Sequence, residues 1–212
     1  MVLWAHAREG RGIRKPTESV PYAAQVNQLL NRLGKILFDY FNGIGNTPND
    51  QVNFDQFHQE LCDNFLNVIN SIRLTAGLAE MSYGQAQKLI NLTFKYLSTY
   101  SDYDDFADLF SFAHMTIDAI VLGNLSPRKA SILFGLRIVN RVNGLVGSQY
   151  HEHGWTAFTK EDYLHLVGDY RNAFNPHLGH RSYMDMEYHM WPTLTPFAAA
   201  GVMAPRILRF HK

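Results

Sequence analysis

The sequence predicts an all-α protein, a single-domain multi-helix bundle with irregular N- and C-terminal segments. Three observations carry this. Apolar residues recur at spacings of three and four over long stretches, as on one face of an α-helix. No stretch shows the strict apolar–polar alternation of a half-buried strand. Capping residues and Gly/Pro clusters divide the periodic stretches into helix-length pieces.

Residues 1–19 form a basic N-terminal arm (Arg8, Arg11, Arg14, Lys15) closed by Pro16, residues 20–190 the helical domain, and residues 191–212 an irregular tail with Pro192, Pro196 and Pro205. From Pro21 to Phe41 the stripe Val26, Leu29, Leu30, Leu33, Leu37, Phe41 predicts a helix that stops at Gly43-Ile44-Gly45 and Pro48. A second helix is expected over Phe54–Gly77, with Phe57, Leu61, Phe65, Val68, Ile69 and Ile72 inward. A third begins after Ser82 and Gly84 and reaches Tyr100, followed by an acidic loop at 101–108. A short helix is expected over Met115–Leu122, and Ser126-Pro127 opens another through Val142. Residues 147–159 read as a loop, and Thr159 caps a last helix ending near Asn175-Pro176.

The chain has 212 residues, enough for one sizeable core, with Lys+Arg and Asp+Glu both at 19. Zero net charge excludes a polybasic nucleic-acid coat but leaves local contact with DNA or RNA open. Cys62 is the sole cysteine, so neither an intrachain disulfide nor a Cys-based metal site can form. The first residues lack the apolar run of a signal peptide, and no run approaches the ~20 residues that cross a bilayer. The expectation is a cytoplasmic protein with no membrane partner and no cofactor, homo-oligomerisation being left open.

On the third helix Lys88, Asn91 and Lys95 (i, i+3, i+7) share a face opposite Ala86, Leu89, Ile90, Thr93 and Leu97. The plain reading is the solvated side of an amphipathic helix. The stripe holds amides rather than acids, however, and Asp118 stands downstream in the otherwise apolar run Ile117–Leu122, as a cap or a cleft acid.

The series Gln87-Lys88, Asn91, Lys95, His114 and Asp118 resembles a pattern in small uncharacterised bacterial helical proteins. It is also distantly similar to archaeal-type 8-oxoguanine DNA glycosylases of the helix-hairpin-helix superfamily. The resemblance covers Gly84 to Asp118, with Thr116 where that family has a proline. It implies that Lys88 forms a Schiff base with the sugar C1′ and that Asp118 assists. Gln87, Asn91, Lys95 and His114 then act as supporting groups. The Lys95 charge is expected to help keep the nucleophilic amine neutral.

Arg171-Asn172 followed by His177 is similar to the Arg-x(4–6)-His signature of HEPN ribonucleases. That implies a metal-independent alternative site of Arg171, Asn172 and His177 across a dimer cleft: arginine grips phosphate and histidine moves protons. Pro176 is expected to end the helix before His177. Six of the ten histidines (His151, His153, His165, His177, His180, His189) lie near Asp185 and Glu187, but no metalloprotease-type spacing occurs and no metal is expected. A polar-aromatic packing layer with Trp155, Tyr183, Tyr188 and Trp191 accounts for them better. The remaining alternative is a non-catalytic scaffold that presents the aromatics around Tyr100–Tyr103 and Met184–Trp191 to a partner.

Overall fold

In a computed structural model the described residues are 20–41, 48–100, 110–125, 154–178 and 182–190. They form α1 (Val20–Phe41), α2 (Gln51–Thr75), α3 (Tyr83–Tyr100), the short α4 (Ala119–Asn124), a 3-10 turn (Trp155–Ala157), α5 (Lys160–Leu178) and α6 (Tyr183–Met190). No strand occurs among the described residues, so the all-α expectation holds. Nor, among them, is any helix long and apolar enough to cross a membrane. The basic arm, the acidic loop, the expected helix at 126–142, His151, His153, His180 and the tail lie outside the described residues.

Local chemistry explains the boundaries. The Asp50 carboxylate accepts from Asn53 N–H at 2.8 Å and opens α2. At its other end, Leu78 N–H reaches Arg73 C=O and Gly77 N–H reaches Leu74 C=O, a Schellman closure that puts Gly77 at φ +71°. Asn70 then clamps Met81 from both sides, donating to its carbonyl and accepting from its N–H, which brings the chain round into α3. Reciprocal capping boxes start α3 (Ser82 with Gln85) and α5 (Thr159 with Asp162). Helix α5 continues through Pro176 to Leu178, contrary to expectation. So close to the C-terminus, the proline deprives only the final turn of one backbone hydrogen bond.

Helix α1 packs on α2, α2 on α3, and α3 on α5 and the 3-10 turn. On α1 the inward stripe is as expected: Val26, Leu29, Leu30, Leu33 and Leu37 are buried. On α2 it is rotated. Phe54, His58, Leu61, Cys62, Phe65, Ile69 and Arg73 are buried, whereas Val68 is 42% exposed. The reason is polar: His58 and Cys62 turn inward to partners on other elements. Tyr40, Phe54 and Phe94 meet edge-on at centroid distances of 5.6–6.0 Å and form the aromatic centre.

Residues 113–117 are buried and irregular, not the start of a helix. A buried non-helical backbone must find partners for its peptide groups. Here side chains supply them: Asn91 Nδ2 donates to Met115 C=O (3.1 Å), Gln87 Nε2 donates to Ile117 C=O (2.9 Å), and the Glu187 carboxylate accepts from Thr116 N–H (2.7 Å). Helix α4 begins only at Ala119, because Asp118 is extended and caps it.

Candidate functional site

Helix α3 has no solvated face. Gln87, Asn91, Thr93, Lys95 and Ser98 are buried along with its apolar residues, which overturns the amphipathic reading. Lys88 is held between two elements. Its Nζ lies 3.9 Å from Asp118 Oδ2, with the side chains only 13% and 7% exposed. It also sits 4.3 Å from the ring centroid of Trp155. The other Asp118 oxygen accepts from Ile120 N–H and Val121 N–H, both at 2.9 Å, so the short helix fixes the carboxylate and aims Oδ2 at the amine. Gln87, next to Lys88, binds the Ile117 carbonyl, next to Asp118. Adjacent residues on two strands of chain are thereby locked in register.

The Trp155 turn is docked on the first turn of α3. Ser82 Oγ donates to Thr156 C=O at 2.6 Å and Gly84 N–H to Phe158 C=O at 3.1 Å. Contact is so close that a Cβ on Gly84 would stand 1.9 Å from the Trp155 carbonyl oxygen.

A second polar group lies deeper. Arg171 on α5 makes a two-pronged ion pair with Asp55 on α2, the Nη2–Oδ1 contact being 2.7 Å. His114 Nε2 is 2.9 Å from the same Oδ1, and its Nδ1 is 2.7 Å from the Tyr163 hydroxyl. That hydroxyl accepts from Asn91 Nδ2 at 3.0 Å, and Asn91 Oδ1 lies 2.7 Å from His58 Nε2.

His114 Nε2 also stands 2.9 Å from Arg171 Nη2, and both groups give a proton to the Asp55 carboxylate that they face. One arrangement of protons satisfies this chain. Tyr163 accepts from Asn91 and donates to His114 Nδ1; His114 donates from Nε2 to Asp55; His58 donates from Nε2 to Asn91. Both imidazoles are then neutral. Burial agrees, depressing His58 well below and His114 below the ordinary 6.5, the Asp55 hydrogen bond opposing it at His114. Burial alone would raise the Asp55 carboxyl, but the His114 and Arg171 hydrogen bonds reverse this and hold it far below the usual carboxylate range.

Tyr–His–Asp order has the form of a nucleophile, base and orienter. The Tyr163 hydroxyl is fully buried, however, and burial pushes it well above its ordinary 10.0. The chain joins α2, α3, α5 and the irregular segment.

Two of the sequence-predicted residues, Lys88 and Asp118, therefore meet. Gln87 supports them through the backbone, whereas Asn91 and His114 belong to the deeper network. Lys95 does not act as an uncompensated cation, because its Nζ is 2.7 Å from the Glu187 carboxylate of α6. Burial raises Glu187 above its ordinary 4.5, with Lys95 opposing the shift. Arg171 is committed to Asp55, Asn172 is exposed, and the His177 side chain lies outside the described residues. Tyr183, Met184 and Met186 are buried rather than presented to a partner, and Tyr183 packs edge-on against Tyr170 at 5.2 Å. No group of three metal-ligating side chains occurs among the described residues.

Sequence reasoning missed Asp55, His58 and Tyr163. The signal present was a polar stripe, Asp55, His58 and Cys62, at i, i+3 and i+7 on α2. Comparison with protein-family models, curated proteins and solved structures gives no match.

Proposed function

We propose that the protein is a nucleic-acid-directed enzyme of the glycosylase/lyase kind, with Lys88 as the amine nucleophile and Asp118 as its proton acceptor. One observation carries this reading: a sheltered lysine ammonium 3.9 Å from a carboxylate oxygen whose partner oxygen is pinned by a helix N-terminus. In the reaction Lys88 Nζ gives a proton to Asp118 and its lone pair bonds to the sugar C1′. The C1′–base bond breaks and its electron pair leaves with the base, which takes up a proton. The second N–H proton passes to O4′ as the C1′–O4′ bond opens, and the nitrogen lone pair forms the C=N bond of a protonated imine, which water later hydrolyses. On an abasic site the aldehyde condenses with the amine directly, losing water.

Borohydride reduces such an imine to a stable amine, so protein and DNA become covalently linked. Trapping on damaged or abasic duplex is expected for the wild type and not for Lys88→Ala. Asp118→Asn is expected to slow it by about 10²–10⁴-fold, the usual contribution of a positioned acid–base group. Absence of a trapped species with abasic, 8-oxoguanine and undamaged DNA alike refutes the reading. The ribonuclease reading has less behind it, since the Arg171 fork already holds Asp55. RNA cleavage lost in both Arg171→Ala and His177→Ala is the result that reinstates it.

A further inference from the structure

We infer that Trp155 is the positioning residue for Lys88, and that Gly84 exists to let the Trp155 turn approach. This inference rests on the Schiff-base reading. A lysine side chain has four freely rotating carbon–carbon bonds, and a carboxylate contact at 3.9 Å holds them loosely. The Trp155 ring adds a restraint from a second side. Its face lies 4.3 Å from Nζ, so the ammonium is confined between a π surface and Asp118 Oδ2.

The ring is itself immobilised. Its turn is fastened through Thr156 C=O and Phe158 C=O to Ser82 and Gly84, one turn before Lys88 on the same helix. Phe158 is buried beneath it. Lysine and ring are thus mounted on the same end of α3 and keep their spacing if the bundle flexes elsewhere. The 1.9 Å clearance at Gly84 is against backbone, which cannot swing aside as a flexible side chain would. Any larger residue there must push the turn, and with it the ring, off the helix.

The test compares wild type with Trp155→Leu, Trp155→Phe and Gly84→Ala in two measurements. The first labels the folded protein with pyridoxal 5′-phosphate and borohydride and quantifies Lys88 by peptide mass. The exposed Lys35, which pairs with Asp39, serves as the internal reference. The second is the single-turnover rate of borohydride trapping on abasic DNA as a function of DNA concentration. In Trp155→Leu, Lys88 labelling is expected to rise about fivefold and the saturated trapping rate to fall about tenfold, the scale of one cation–π contact, while the half-saturating DNA concentration moves less than about twofold. Trp155→Phe keeps a π face and is expected to recover most of both, whereas Gly84→Ala behaves as Trp155→Leu does.

Unchanged labelling and unchanged trapping in Trp155→Leu overturn the positioning role while leaving the Schiff-base reading intact. A shift in Lys88 labelling with no trapping by the wild type upholds the restraint on Lys88 and removes the reaction. Equal loss in the Leu and Phe variants assigns Trp155 to packing alone and also overturns the inference.

Discussion

Replacing Asn91 by aspartate exchanges one amide NH2 for an oxygen and leaves the shape almost unchanged. The consequences follow from its partners. Nδ2 donates to Gln87 Oε1, Met115 C=O and the Tyr163 hydroxyl, all within 3.0–3.1 Å, while Oδ1 faces His58. Gln87 cannot flip to compensate, because its own Nε2 serves Gly84 C=O and Ile117 C=O. Tyr163 can turn its proton toward the new carboxylate, but His114 Nδ1 then loses its donor. Met115 C=O and His114 Nδ1 are left orphaned at about 1–3 kcal/mol each, Gln87 Oε1 keeps only the long 3.4 Å contact from Ile117 N–H, and the charge itself is buried, so the total is about 3–6 kcal/mol. For a chain of this size that lowers the melting temperature by roughly 6–24 °C. Thermal and urea unfolding at pH 7.5 read it directly, with the exposed Asn67→Asp on α2 as a control expected within about 0.5 kcal/mol of wild type. A loss below about 1 kcal/mol for Asn91→Asp shows that the network is not assembled as described.

Four further outcomes are expected. Nitrogen NMR at pH 7 finds both His58 and His114 neutral with the proton on Nε2, and a normal titration near 6.5 in either refutes the proton arrangement. Since both folded-state values lie below the ordinary 6.5, the unfolded chain binds more protons, so stability is whole above 6.5 and falls as the pH drops. Asp55, depressed below 3.8, adds a second fall at lower pH, whereas Glu187, raised above 4.5, and Asp169, raised above 3.8, work in the opposite direction. Melting curves across pH 4–8 test the imidazoles, with a fall in melting temperature expected as the pH drops below 6.5. Lys95→Met strands the Glu187 carboxylate in the interior and costs about 3–5 kcal/mol in urea unfolding, most of which the double change with Glu187→Gln, which keeps an acceptor for Thr116 N–H, recovers. Asp50→Ala removes the α2 cap and costs about 1 kcal/mol by the same measurement.

Periodicity located α1, α2, α3 and α5 because the fold obeys the rule that periodicity measures, one apolar stripe against a core. It failed where polar residues enter the core. His58 and Cys62 on α2 looked like ordinary polar helix positions, and nothing local tells that they face Asn91 and Tyr83. Met115–Leu122 was expected to be helical because its composition is apolar. The first half is instead held out of a helix by side-chain partners 30 positions upstream and 71 positions downstream. Lys88 and Asp118 were recognisable as a pair because each is a charge in a setting that lacks an obvious local partner. Asp55 and Arg171, 116 positions apart, each sit among ordinary polar neighbours and gave no such hint.

The irregular segment at 113–117 also governs how the protein can come apart. Its peptide groups are satisfied by α3 on one side and by Glu187 of the late helix α6 on the other, so it cannot be laid down until nearly the whole chain has emerged. Detaching α6 strips a partner from the segment that leads into Asp118. Opening of α6 and loosening of the lysine–aspartate pair are thereby one event, which amide exchange registers as simultaneous loss of protection at Thr116 and along α6.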